Sequence, residues 1–133
     1  MSQALHITPI ATLALLALTA CEFEREGTQV LPQSFLGAET KLQAEDIVEI
    51  TVTVARPRPG ALQAYSDCVG AQYTLIRGMT YLRRITTFPD VSGLADVLRE
   101  KTTYLLANEP PSDTALTAAQ IVATCKANQI PTV

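Results

Sequence analysis

The chain has 133 residues, ten Lys and Arg against thirteen Asp and Glu, and a formal net charge of −3, with 47% hydrophobic and 17% charged residues. That length allows one small domain and excludes a multidomain enzyme, and the acidic balance argues against a protein built to neutralise nucleic-acid phosphates. Three cysteines leave an odd thiol to explain, and the single histidine is His6.

The first twenty residues contain no Lys, Arg, Asp or Glu, and Ile10–Ala20 is apolar apart from two threonines. That run is shorter than the roughly 20 apolar residues needed to span a bilayer, but it suits the apolar segment of an export signal. It ends in Leu18-Thr19-Ala20-Cys21, small residues directly before a cysteine. This order resembles the lipobox of bacterial lipoproteins. The resemblance covers residues 1–21 and implies cleavage before Cys21, with acyl chains attached to that cysteine. It implies a membrane partner through the lipid, and a position in the bacterial envelope facing the periplasm. Glu22, rather than aspartate, follows the cysteine and favours the outer over the inner membrane.

His6 leaves with the signal, so the processed chain has no histidine for a general base, a nucleophile pair or a metal site. With Cys21 assigned to lipid, Cys68 and Cys125 remain, too far apart for a CxxC motif and in an oxidising compartment. A disulfide between them is expected.

Residues 22–45 are acidic, with few apolar residues and no period, and read as a tether that leaves 46–133 as the domain. Docking of Val30, Leu31, Phe35 and Leu36 on the domain is the alternative. Asp46–Val54 alternates Val48, Ile50, Val52 and Val54 with Ile47, Glu49, Thr51 and Thr53, the period of a half-buried strand. Arg56-Pro57-Arg58-Pro59-Gly60 stops it. Ala61–Ile76 has helical spacing with Cys68 on its apolar side, and Gly78 stands where a helix ends.

Residues 79–88 read as a strand, followed by a turn at Pro89-Asp90 and Ser92-Gly93. Residues 94–107 carry both signals. Leu94, Val97, Leu98, Lys101 and Tyr104 follow helical spacing, while Thr102-Thr103-Tyr104 favours a strand, chosen for the second half. Asn108–Asp113 is a loop, and 116–125, ending in Ile121, Val122 and Cys125, leans to a strand meeting the helix at Cys68. Residues 129–133 form an extended tail. The sum is an α+β domain: a small antiparallel sheet with one packed helix, stapled by one disulfide.

Arg56, Arg58, Arg77, Arg83 and Arg84 face one acid, Asp67, within 56–84. They suggest a contact for an envelope protein or an anionic envelope component, with Arg77, Arg83 and Arg84 as candidates. As neighbours in a strand, Arg83 and Arg84 point to opposite faces. Tyr65, Tyr73, Tyr81 and Tyr104 fit packing better than a binding groove. Asp67, Asp90, Asp96 and Glu100 show no pairing for acid–base work, and no phosphate loop, nucleophile elbow or metal spacing occurs. The expectation is a non-enzymatic, lipid-anchored interaction or structural module, without cofactor, metal or nucleic acid. A periplasmic small-ligand or inhibitor-type binding module is the alternative.

Overall fold

The computed structural model describes residues 31–90 and 95–132, and Leu31–Val133 form one compact unit. Its elements are β1 (Ser34–Ala44), β2 (Ile47–Ala55), α1 (Ala61–Ile76), β3 (Tyr81–Asp90), β4 (Val97–Ala107) and α2 (Ala118–Ala127). The four strands form one antiparallel sheet in the order β1-β2-β4-β3. This is the expected α+β class with the expected disulfide, but it has two helices rather than one.

The period-two pattern of β2 sets the core. Val48, Ile50, Val52 and Val54 are fully buried under α1, joined by Tyr104 and Leu106 of β4 and by Tyr65 and Val69 of α1. In β4 the residues between them, Thr103 and Leu105, take the other face of the sheet. Burial at Thr102, Tyr104 and Leu106 settles the mixed signal of 94–107 in favour of a strand. The helical reading fails because its Val97, Leu98, Lys101 and Tyr104 straddle both faces.

Three expectations are corrected. The tether ends earlier than residue 45: Ser34–Ala44 is an edge strand that pairs with β2 along its whole length. Two register irregularities, at Phe35/Gly37 and Leu42/Ala44, break its alternation, and Thr40 and Leu42 are exposed at the sheet edge. The sequence therefore shows no period there, and Glu39 and Lys41 are charges typical of a strand edge. Residues 22–30 lie outside the described residues.

The segment expected as a strand over 116–125 is instead helical from Ala118, in α2. Thr117 and Gln120 form a reciprocal capping box, with Gln120 N–H donating to Thr117 Oγ1 at 3.1 Å and Thr117 N–H to Gln120 Oε1 at 2.9 Å. Ala118, Val122 and Cys125 are then buried at helical spacing, a pattern overshadowed in the sequence by the β-branched Ile121-Val122 pair. Pro89-Asp90 is the end of β3 rather than a turn, because an edge strand tolerates a residue without an N–H. Ser92-Gly93 lies outside the described residues.

α1 runs over the residues expected and ends as expected at Gly78, which takes φ +74°. Met79 N–H reaches Thr74 O at 3.0 Å and Gly78 N–H reaches Leu75 O at 2.9 Å, closing the last turn. α2 lies beside α1 on the same face of the sheet, with Ala71, Ala118 and Val122 packed together over Leu82.

α1 crosses the sheet closely at Gly70. A Cβ there would stand 2.9 Å from Leu82 Cδ1, 3.3 Å from Ile50 Cδ1 and 3.4 Å from Tyr104 Cε2. A branched side chain has no room. Gly70→Val is expected to lower stability by about 1–3 kcal/mol through overpacking, measured as a fall in the urea midpoint at unchanged slope.

Candidate functional site

Helix α1 carries its chemistry in the run Gln63, Ser66, Asp67 and Cys68, of which Ser66 and Cys68 are buried. Cys68 is joined to Cys125 of α2, with Cα atoms 5.9 Å apart and 57 residues between them. The pairing expected from the cysteine count is present, and its closure of a long loop accounts for its worth. On the chain-entropy model such a crosslink stabilises by about 4 kcal/mol. Beside it lies an apolar groove of about 300 Å³, lined by Leu116, Ile121, Ile130 and the disulfide, with Asp67 at its rim. Ile130 is brought there by the end of α2, where Gln129 takes φ +56° and Ile130 N–H bonds Cys125 O at 2.9 Å.

Asp67 and Ser66 meet the sheet through Tyr104. The Tyr104 Oη lies 2.7 Å from Asp67 Oδ1 and 2.9 Å from Ser66 Oγ. A phenol has one proton, and an ionised carboxylate can only accept, so Tyr104 donates to Asp67 and receives from the serine hydroxyl. Arg84 of β3 closes the cluster, with Nη2 2.5 Å from Asp67 Oδ1. With its amide oxygen turned to the guanidinium, Gln63 accepts from Arg84 as well. Burial, and then the charge of Asp67, push the Tyr104 phenol far above its ordinary range. For Arg84, burial acts downward but is outweighed by the hydrogen bond and charge of Asp67, so its pKa rises.

This cluster holds α1 to β3 and β4. Every charged group in it has a partner, and the cluster works as a polar clamp between the elements. Asp67, one of the carboxylates without an acid–base pairing in the sequence, is at its centre. Its partners are 17 and 37 positions away in the chain, a distance that no local motif reveals.

The structure does not bring the three candidate arginines together. Arg84 points under α1 to Asp67, while its neighbour Arg83 takes the opposite face of the sheet, as strand geometry requires. Arg83 borders a shallow depression of about 260 Å³ with Tyr81, Leu105 and Glu109. Arg77, the residue capping α1, donates from Nη2 to Glu45 O at 3.2 Å. Arg56 and Arg58 lie at the other end of α1. Five arginines clustered in sequence are thus dispersed in space. Tyr65 and Tyr104 are core residues, as packing predicts. Cys21 lies outside the described residues. Among the described residues no group of three His, Cys, Asp or Glu side chains could hold a metal ion.

The fold and its clamp define a small two-layer α+β domain, with two helices on one face of a four-stranded antiparallel sheet and one disulfide tying the helices together. The model of the family described as the YNQ4 C-terminal domain matches residues 35–129, from the start of β1 to just beyond α2. The chain belongs to that family. No curated protein and no solved structure matches it.

Two outcomes follow from the geometry. The double variant Cys68→Ala/Cys125→Ala is expected to lose about 2–5 kcal/mol against the oxidised chain, measured by denaturant unfolding, and reductant should destabilise only the parent. Glu100, on the helix-facing side of β4, has its carboxyl raised by burial, with Arg84 and the Thr102 hydroxyl opposing this only in part. A carboxyl raised in the folded state binds its proton more readily there than in the unfolded chain, so its charge destabilises at neutral pH and the penalty fades as pH falls through the folded value. Glu100→Gln is therefore expected to unfold at higher denaturant than the parent at pH 7. The gap should narrow as the pH drops into the ordinary glutamate range, and a gap that widened on acidification would contradict the assignment.

Proposed function

We propose that the protein is a lipid-anchored component of the bacterial cell envelope whose YNQ4 C-terminal domain serves as a non-enzymatic interaction or structural module facing the periplasm. The observation that carries the reading is the division of labour among the cysteines. Cys68 and Cys125 pair with each other, a bond that persists in oxidising compartments, and the remaining Cys21 follows Leu18-Thr19-Ala20 as a lipobox cysteine does. Removal of residues 1–20 also removes the only histidine. Two acyl chains or more make a lasting anchor, since one chain holds only marginally.

The chemistry of the domain supports a structural or binding role. Its charged cluster is internally neutralised by Asp67 and Arg84, and that cluster joins elements of the fold to one another. A small-ligand module is less well supported. The space between sheet and helix is filled at Gly70, and the apolar groove beside the disulfide is open and shallow. With the arginines dispersed, partner contact through a single basic patch is not favoured either.

Intact-mass measurement on protein extracted from membranes tests the anchor. The expected result is a chain beginning at Cys21 and carrying acyl chains, with Cys21→Ala released from the membrane fraction or left unprocessed. Unmodified chain retaining Met1 in the soluble fraction would overturn the reading.

A further inference from the structure

The point where the chain enters the domain is held in place. Arg56, at φ +51°, donates its backbone N–H to Asp96 O at 2.6 Å and its Nε to Pro32 O at 3.0 Å. The next contact is Arg58 N–H to Gln33 Oε1, also at 3.0 Å. The start of β1, the end of β2 and the approach to β4 are therefore tied into one knuckle. About ten residues lie between Cys21 and this knuckle, and even fully extended they reach no more than about 40 Å. The eleven residues of β1 alone measure about 36 Å along the sheet. The opposite end of the domain could approach the lipid only with that segment drawn out straight along the whole domain.

We propose that the knuckle end of the domain is a lipid-contacting surface, an inference that rests on the anchoring of Cys21. Apolar side chains stand exposed there for such contact. Leu31 is 61% exposed, Leu36 54% and Leu98 42%. Leu98 stands beside Pro57, Pro59 and Leu62 around a groove of about 430 Å³ that also includes Arg58 and Glu100. Leu98 pairs with Val54, and Leu36 lies in the irregularity just after Phe35, the β1 partner of Val54, so both belong to the same end of the sheet. The charges there balance. Arg56 and Arg58 are exposed, Asp96 is exposed, Glu100 is half-buried, and Arg99 faces Asp90 at 3.7 Å. A surface without net charge gains little from anionic headgroups, so the contact is made by leucine and proline side chains and needs no anionic lipid. The far end, where Ile76 is 64% exposed at the close of α1 and Arg77 reaches Glu45 O, then faces away from the membrane.

The chain has no tryptophan, so one introduced residue becomes a sole reporter. The full lipidated protein carrying Leu98→Trp, Leu36→Trp or Ile76→Trp would be reconstituted in vesicles with brominated acyl chains, made of phosphatidylcholine with or without phosphatidylglycerol. The expected result is at least twofold quenching of fluorescence for the reporters at 98 and 36, and little at 76, regardless of lipid charge and of salt up to half molar. The reporter at 36 serves if the exchange at 98 disturbs folding. Equal or stronger quenching at 76, or none at any position while the protein floats with the vesicles, would overturn the lipid-contacting surface and leave the anchor standing. Quenching confined to vesicles with phosphatidylglycerol and lost in salt would overturn the apolar contact. Protein that fails to float with the vesicles would overturn the anchor and the surface together.

Discussion

At Gly70 the backbone of α1 comes so near the sheet that an added carbon would press on the Leu82 and Ile50 side chains and touch the ring of Tyr104. The remaining geometry of the domain depends on that approach. It lets the ring of Tyr104 pass under the helix, so that the phenol emerges at Ser66 and Asp67. It also sets the height of Cys68, so that the outer side of α1 meets α2 and not the sheet. The cost of a glycine inside a helix, about 1 kcal/mol relative to alanine, is offset by this close packing.

Stability is then spread over three kinds of interaction with different reach. The apolar core joins α1 to the two central strands, where four residues of β2 are fully buried. The polar clamp of Asp67, Arg84 and Tyr104 fastens α1 toward the β3 edge. The disulfide acts mainly on the unfolded chain, by closing a long loop, and it secures α2, which otherwise rests on the small cluster of Ala71, Ala118 and Val122. A domain of this size buries a modest core, and a crosslink of this kind is a common supplement in exported proteins.

The two ends of the domain differ in a way that matters for a tethered protein. One end gathers the entry of the chain, two exposed arginines and the exposed Leu31, Leu36 and Leu98; the other carries the exposed Leu42, Leu75 and Ile76 with Arg77 beside the β1–β2 turn. The proposed anchoring turns this difference into a difference between a lipid side and a side open to partners. The arginine-rich segment, conspicuous as a string, contributes to both ends and to the interior, and so has no single role.

Much of the architecture was legible in the order of residues. The alternation in β2, the apolar stripe and terminal glycine of α1, and two cysteines left over after Cys21 depend on local periods and on counting, which a linear chain displays directly. The edge strand Ser34–Ala44 was hidden because two irregularities break its period and its outer positions face water, so only pairing with β2 supplies its hydrogen bonds. α2 was hidden because its capping box competes with a β-branched pair, and packing against α1 decides between them. The clamp was least visible of all. The meeting of Asp67 with Arg84 and Tyr104 comes from three elements brought together by the helix crossing the sheet. By itself the sequence determined β2, α1, the cysteine pair and the resemblance to an anchored protein. Tertiary structure alone decided which charges meet and which are left apart, because those contacts join positions far apart in the chain.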